Sequence, residues 1–151
     1  MTQNLTNFLI GAKNKEFATK SGTGMHAKMR CIVVHAGERS VGDRDIVKII
    51  KNRADLLPFF IATNFPQTEV PIAGYINNIF VSRRIDRLLI NHGSKTVKFI
   101  DYKTDVDKNE FIEKYRKQLS EYAVLLRSAY PGYEINGYIL WLNDWQLDKV
   151  I

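Results

Sequence analysis

Two aspartates and one lysine stand in adjacent stretches of the chain that have the composition of β-strands. Asp86 lies inside the run 81–88, while Asp101 and Lys103 end the run 97–103. Strand residues two apart point to the same face, so Asp101 and Lys103 converge and a neighbouring strand can bring Asp86 to them. Two carboxylates can hold Mg²⁺, which activates water and stabilises charge on phosphorus. Lys103 would orient that water or offset the charge.

Ordinary ion pairs are the alternative for the same residues. Asp86 could pair with Arg84, Arg87 or Lys103, and Asp101 could pair with Lys103 across strands. The spacing alone leaves both explanations open.

The second half of the chain supplies the elements that would hold this site. Residues rich in Val, Ile, Tyr and Phe predict strands at 68–73, 79–91 and 96–102, joined by turns as an antiparallel meander. From Asp107 to Tyr130 the apolar residues recur every three or four positions, which predicts a helix ended by Pro131-Gly132. Residues 135–142 then predict a buried strand, parallel to its partner because a helical crossover precedes it.

The first half has helical periodicity and most of the excess positive charge. We expect helices at 5–17, from 25 toward 37, and at 43–62 with a stop or kink at Pro58. Residues 1–63 hold ten Lys and Arg against five Asp and Glu, whereas 64–151 hold twelve against eleven. This distribution fits either a polyanion partner or an ordinary solvated basic surface.

The chain as a whole has the composition of one folded domain. It has 151 residues, of which 45% are hydrophobic and 25% charged. The single cysteine, Cys31, excludes an internal disulfide and a cysteine-rich metal site, and we expect it to be buried. No apolar run approaches the length of a membrane span, so we predict a cytoplasmic protein without membrane contact.

A family resemblance is carried by three segments taken together. These are Arg84-Ile85-Asp86-Arg87-Leu88, then Phe99-Ile100-Asp101-Tyr102-Lys103-Thr104-Asp105, then Tyr115-x-x-Gln118-Leu119-x-x-Tyr122. The chain resembles the RecB family of PD-(D/E)xK nucleases, closest to the C-terminal nuclease domain of AddA-type helicase–nucleases. The resemblance implies a mixed α/β (α+β) fold with a restriction-endonuclease-like core. Residues 64–151 would form this central mixed sheet flanked by helices, and 1–63 an N-terminal helical region of the same domain.

Individual roles follow from the same resemblance. It implies that Asp86, Asp101, the Tyr102 carbonyl and the upstream His26 bind metal, and that Lys103 is catalytic. Gln118 and Tyr122, one helical turn apart, would lie beside the catalytic centre and position the nucleophile or the DNA phosphate. Glu69 is a further possible ligand, and Arg83 and Arg84 are candidate DNA contacts.

The function implied is Mg²⁺- or Mn²⁺-dependent, exonuclease-type cleavage of DNA in double-strand break repair or recombination. The resemblance also implies a helicase module or subunit as partner. No Walker-type ATPase loop is present in these residues, so we expect an excised domain, a small independent member or the remnant of a split gene. The alternative is a nuclease-like module that binds DNA or a partner without cutting. Arg83 departs from the family, whose members often carry glycine just before the first aspartate.

Overall fold

A computed structural model of the chain describes residues 22, 24–37 and 39–151. Residues 22 and 24–30 are helical and are called α1. They are followed by α2 (Arg44–Lys51), two 3₁₀ turns (Leu57–Phe59 and Ala62–Asn64) and β1 (Gln67–Ile76). Next come β2 (Ile79–Asn91), β3 (Thr96–Lys103), α3 (Lys108–Ala129), β4 (Glu134–Trp141) and β5 (Gln146–Lys149).

The sheet is mixed and has the order β1-β2-β3-β4-β5. β1, β2 and β3 form the predicted antiparallel meander, and β4 runs parallel to β3 as predicted. At the β1–β2 turn, Asn77 and Asn78 both have positive φ, at 50° and 64°, a conformation that asparagine tolerates in tight hairpins. With helices flanking the sheet, the predicted mixed α+β class is confirmed.

α3 makes the crossover that places β4 beside β3. The Asp107 carboxylate caps its first turn by accepting hydrogen bonds from the backbone N–H groups of Asn109 and Glu110. The predicted helix between Asp107 and Tyr130 is confirmed. β5 was not predicted, because its four residues have no apolar alternation and only antiparallel pairing with β4 makes them a strand.

The N-terminal region is less helical than predicted. α2 ends at Lys51, and 3₁₀ turns replace the rest of the expected 43–62 helix, the first of them containing Pro58. The expected helix from 25 to 37 stops earlier, because Val33 and Val34 form isolated bridges to Val41 and Ile61. The helix expected at 5–17 lies outside the described residues.

Cys31 is exposed, so the prediction that it is buried was wrong. Its neighbours Met29 and Ile32 occupy the inward positions and are fully buried, which leaves Cys31 facing outward at the end of α1. No helix among the described residues has both the length and the apolar character needed to span a bilayer.

The core has one cluster on each face of the sheet. The α1/α2-side cluster joins Met29, Ile32 and Ile50 to sheet residues such as Ile100 and Tyr102. The α3-side cluster joins Leu119 and Tyr122 to the alternate residues of β3, Val97 and Phe99. Since Asp101 follows the alternation of Phe99, its side chain lies on the α3 side of the sheet.

Candidate functional site

Asp86 lies where the regular alternation of β2 is interrupted. Ile85 and Leu88 both pack in the α3-side cluster although they are three residues apart. Arg87, between them, points to the opposite face, where it donates to the carbonyl oxygens of Met29 and Phe59. Two-residue periodicity cannot hold through this segment, so Asp86 is at the point where the strand changes phase.

The partner strand is distorted at the same level. Glu69 lies between the paired positions Thr68↔Arg87 and Val70↔Ile85, which places it opposite Asp86. Its φ of 54° is unusual for a residue with a side chain inside a strand. Pairing of β2 with β3 begins only at Arg87, so Asp86 is outside the ladder on both sides.

The carboxylate of Asp86 connects β3 to α1. Its Oδ2 accepts a hydrogen bond from the backbone N–H of Tyr102 at 2.7 Å and lies 3.4 Å from Nε2 of His26. The second ring nitrogen of His26, Nδ1, lies 2.9 Å from the carbonyl oxygen of Gly22, to which it can donate. The pairing with Asp86 raises the pKa of His26 to about 9, so the ring is cationic at neutral pH.

Asp101 is 97% buried and forms an ion pair with Lys103. The Nζ of Lys103 lies 2.5 Å from Oδ2 of Asp101 and donates to Oε1 of Gln118 at 3.1 Å. Burial raises the pKa of Asp101 to about 6 even though Lys103 opposes that shift. Despite the short ion pair, Oδ2 accepts no hydrogen bond of normal geometry from the described residues.

One face of α3 supplies the other side of the site. Nε2 of Gln118 lies 2.6 Å from the hydroxyl of Tyr122 and 3.5 Å from Oδ1 of Asp101. Burial raises the pKa of Tyr122 to about 12, so its hydroxyl stays protonated at neutral pH. The predicted Gln118 and Tyr122 therefore do lie next to Asp101 and Lys103.

Tyr115 is part of this face and was not predicted as a site residue. Its ring lies 4.2 Å below the Nζ of Lys103, and its hydroxyl donates a short hydrogen bond to Oδ2 of Asp105. Burial and that hydrogen bond both raise the pKa of Tyr115. Its spacing of three residues before Gln118 was the available signal, since i and i+3 share a helix face.

The side chain of Tyr102 points away from the site. Its hydroxyl accepts a 2.7 Å hydrogen bond from Nε of Arg87 inside the α1/α2-side cluster, and burial raises its pKa to about 12. Arg87 is fully buried and stacks over the ring of Phe60. It is therefore a structural residue on the far side of the sheet, and only the backbone of Tyr102 is available as a ligand.

The remaining candidates form ion pairs around the site. Arg83 donates from Nε and Nη2 to Oε2 of Glu121 on α3, at 3.0 and 2.8 Å. Arg84 donates to Glu69 at 3.2 Å on the other face of the hairpin, where its side chain is 68% exposed. Asp86 thus contacts His26 and not the Arg84, Arg87 or Lys103 of the ion-pair alternative. Asp101 and Lys103 do form the ion pair that this alternative expects.

No protein-family model and no curated protein matches this chain. The resemblance to RecB-type nucleases therefore depends on the spaced residues themselves. Within the described part of the chain, no three His, Cys, Asp or Glu side chains are already gathered as a metal-binding cluster. His26 and Asp86 form one close pair, and Asp101 is engaged by Lys103 instead.

Proposed function

We propose that the chain is a divalent-metal-dependent DNA nuclease of the RecB type, acting in the cytoplasm on DNA ends during break repair or recombination with a helicase partner. The observation that supports this most is the convergence of Lys103 with Asp101, beside Asp86 on the neighbouring strand. A lysine that is only 15% exposed and lies against a buried carboxylate is costly for stability alone, because both charges lose hydration. Catalytic sites are where such costs are commonly found.

The donor chemistry fits Mg²⁺ or Mn²⁺. Asp86 and Asp101 supply carboxylate oxygens from neighbouring strands, and the buried Oδ2 of Asp101 contacts the ammonium of Lys103. The hydrogen bond from Nδ1 of His26 to a backbone carbonyl is the arrangement that leaves Nε2 for a metal. Imidazole is a better ligand for Mn²⁺ than for Mg²⁺.

These residues would hold the ion, with the Tyr102 carbonyl as a fourth candidate and Glu69 as a possible fifth. When bound, the ion would polarise a phosphoryl oxygen and lower the pKa of water. Each ligand must first give up its present partner, because His26 now carries a proton and Asp101 is paired with Lys103.

Lys103 would orient the attacking water and offset negative charge on the phosphoryl group. Gln118 holds the ammonium through Oε1, and Tyr122 fixes the amide of Gln118 in turn. The ring of Tyr115 faces the same ammonium, which favours the charged form through its quadrupole. Gln118 and Tyr115 thus contact the ammonium of Lys103 directly, and Tyr122 acts on it through Gln118.

The experiment is cleavage of linear single- and double-stranded DNA with Mg²⁺ or Mn²⁺, repeated with EDTA and with Asp101→Ala. We expect cleavage that requires the metal and is lost in the variant. Lys117→Ala, an exposed lysine on the outer side of α3, is the matched control and should cut normally. Cleavage that persists in EDTA or in Asp101→Ala would reject the mechanism.

A second candidate is a nuclease-like module that binds DNA or a partner and does not cut. The pairing of the carboxylates with His26 and Lys103, in place of a gathered three-ligand cluster, is the observation that favours it. Calorimetric titration with Mn²⁺ separates the two. A nuclease centre should bind Mn²⁺ and lose that binding in Asp86→Asn, whereas an inactive module should give no binding heat in either protein.

A further inference from the structure

The β1–β2 hairpin has one covered face and one exposed face. Ile72 packs in the α3-side cluster, a Cβ on Gly74 would lie 3.0 Å from Leu125 of α3, and Arg83 pairs with Glu121 of the same helix. On both strands these residues alternate with a second set of residues, whose side chains point to the other face of the hairpin, away from α3. We call that set the outer hairpin face: Pro71, Ala73, Tyr75, Phe80, Ser82 and Arg84.

Every residue of the outer hairpin face is exposed. Tyr75 and Phe80 are direct cross-strand partners, 73% and 61% exposed, with ring centroids 5.6 Å apart. Large apolar side chains gathered in this way on a protein surface indicate an interaction site.

The outer hairpin face continues along β2 to Asp86, one of the candidate metal ligands. β2 pairs with β3 only from Arg87 onward, so the end of the hairpin projects beyond β3. Phe80 and Asp86 are six residues apart on β2, a distance of about 20 Å along a strand. Between them Ser82 is small and polar, and Arg84 is a largely exposed cation two residues before Asp86.

We propose that the outer hairpin face binds the single-stranded part of a nucleic acid and directs it to Asp86. Bases stack on Tyr75 and Phe80, and Arg84 contacts a phosphate near the metal centre. This inference rests on the proposed nuclease function, to which it adds the strand state of the substrate and its path.

The chemistry of the face favours a single strand over other occupants. Aromatic side chains can stack on bases only where the bases are unpaired, because a duplex hides their faces. The Arg84–Glu69 pair is exposed and therefore weak, so a phosphate can replace the carboxylate. Pairing of edge strand β1 with a second copy is disfavoured by Pro71 and by the positive φ of Glu69.

The test is fluorescence anisotropy of labelled single-stranded and blunt duplex DNA in EDTA, with the full chain and the Tyr75→Ala/Phe80→Ala double variant. Stacking on an aromatic side chain is worth roughly 5- to 150-fold in affinity for each base. We therefore expect a loss of single-strand affinity in this range and a much smaller change with the duplex. Phe65→Ala, an aromatic residue that is 82% exposed on another part of the surface, is the control and should bind as wild type does.

Two further measurements guard against a folding artefact. The double variant should keep its unfolding temperature, since both rings are exposed. Tyr75→Phe/Phe80→Trp, which retains aromatic faces, should restore single-strand binding. Any of three results would overturn the inference. The alanine variant could bind single strands as wild type does, or it could lose affinity for the duplex to the same extent as for single strands. The wild type could also be a dimer that the alanine variant makes monomeric without a change in DNA affinity.

Failure of this inference and failure of the proposed function give different results. If the wild type cuts DNA with Mn²⁺ and the alanine variant binds and cuts single strands equally well, the hairpin path alone is rejected. If the wild type binds single strands through the two rings but does not cut DNA, the nuclease function alone is rejected.

Discussion

The Nζ of Lys103 lies 2.5 Å from Oδ2 of Asp101, a carboxylate that is 3% exposed to solvent. Both residues project from the end of β3 on the α3 side, as expected for strand positions two apart. Burial favours the neutral acid and Lys103 favours the carboxylate, and the pKa of Asp101 is about 6 under both influences. The ammonium of Lys103 thus favours the ionised form of Asp101 at neutral pH.

Lys103→Met should impair both cleavage and folding. Loss of the ammonium removes charge stabilisation at the phosphoryl group, and we expect cleavage to fall by about 10²-fold or more. It also leaves a buried carboxylate without a partner, which should lower the free energy of unfolding by about 3 kcal/mol. Cleavage rates and urea unfolding measure the two effects, with Lys117→Met as the control. Full activity in Lys103→Met would remove Lys103 from the mechanism.

Tyr122→Phe should reduce cleavage with little loss of stability. The hydroxyl lies 2.6 Å from Nε2 of Gln118, whose Oε1 accepts from Lys103, so its removal frees the amide to rotate. We expect activity to fall roughly 10- to 100-fold, as for other groups that orient catalytic residues. The free energy of unfolding should change by about 1 kcal/mol. Tyr130→Phe, at the residue that follows α3, should have wild-type activity. Equal rates in all three proteins would contradict the role of Tyr122.

Arg87→Leu should destabilise the protein more than any exposed arginine would. The guanidinium donates to the carbonyl oxygens of Met29, Ile32 and Phe59, all of which lose a partner inside the core. We expect the free energy of unfolding to fall by about 3 kcal/mol or more. Arg116→Leu removes an exposed pair with Glu113 and should change it by less than about 1 kcal/mol. Similar urea midpoints for the two variants would contradict the structural role of Arg87.

The His26–Asp86 pair predicts a specific pH dependence of stability in EDTA. The folded-state pKa of about 9 lies above the ordinary value of 6.5, so the folded protein binds this proton more tightly. The stabilisation is fully present below pH 6.5 and is lost as pH rises through 9. Because the ring is partly exposed, we expect on the order of 1 kcal/mol. The free energy of unfolding, measured with denaturant at pH 6 and 9.5, should show this loss in the wild type and not in His26→Gln. The same change with pH in both proteins would contradict the pairing.

Much of the sheet was predictable from the composition of its strands. The meander follows from segments rich in Val, Ile, Tyr and Phe between turns, β4 from a continuous apolar run, and α3 from its three-to-four spacing. β5 has too few residues for a pattern. The short helices and bridges between residues 24 and 64 depend on tertiary contacts, such as that of Val34 with Ile61, which local periodicity does not encode.

Site residues that share one strand or helix face were predictable from their spacing. Contacts between elements that are distant in the sequence were less predictable. Asp101 with Lys103, and Gln118 with Tyr122, each share a strand or helix face. The positions of Asp86 and Arg87 depend on the change of phase in β2, which two-residue alternation cannot predict. The Lys103–Tyr115 contact requires the packing of α3 against the sheet.

The most direct measurement is a crystal structure of the chain soaked with Mn²⁺, with anomalous diffraction used to locate the ion. We predict one anomalous peak within coordination distance of a carboxylate oxygen of Asp86, a carboxylate oxygen of Asp101 and Nε2 of His26. Lys103 should then have moved from Asp101 while staying within reach of Gln118. The account would be contradicted if crystals with ordered Mn²⁺ elsewhere gave no peak between the two aspartates, or if His26 and Asp86 kept their present contact.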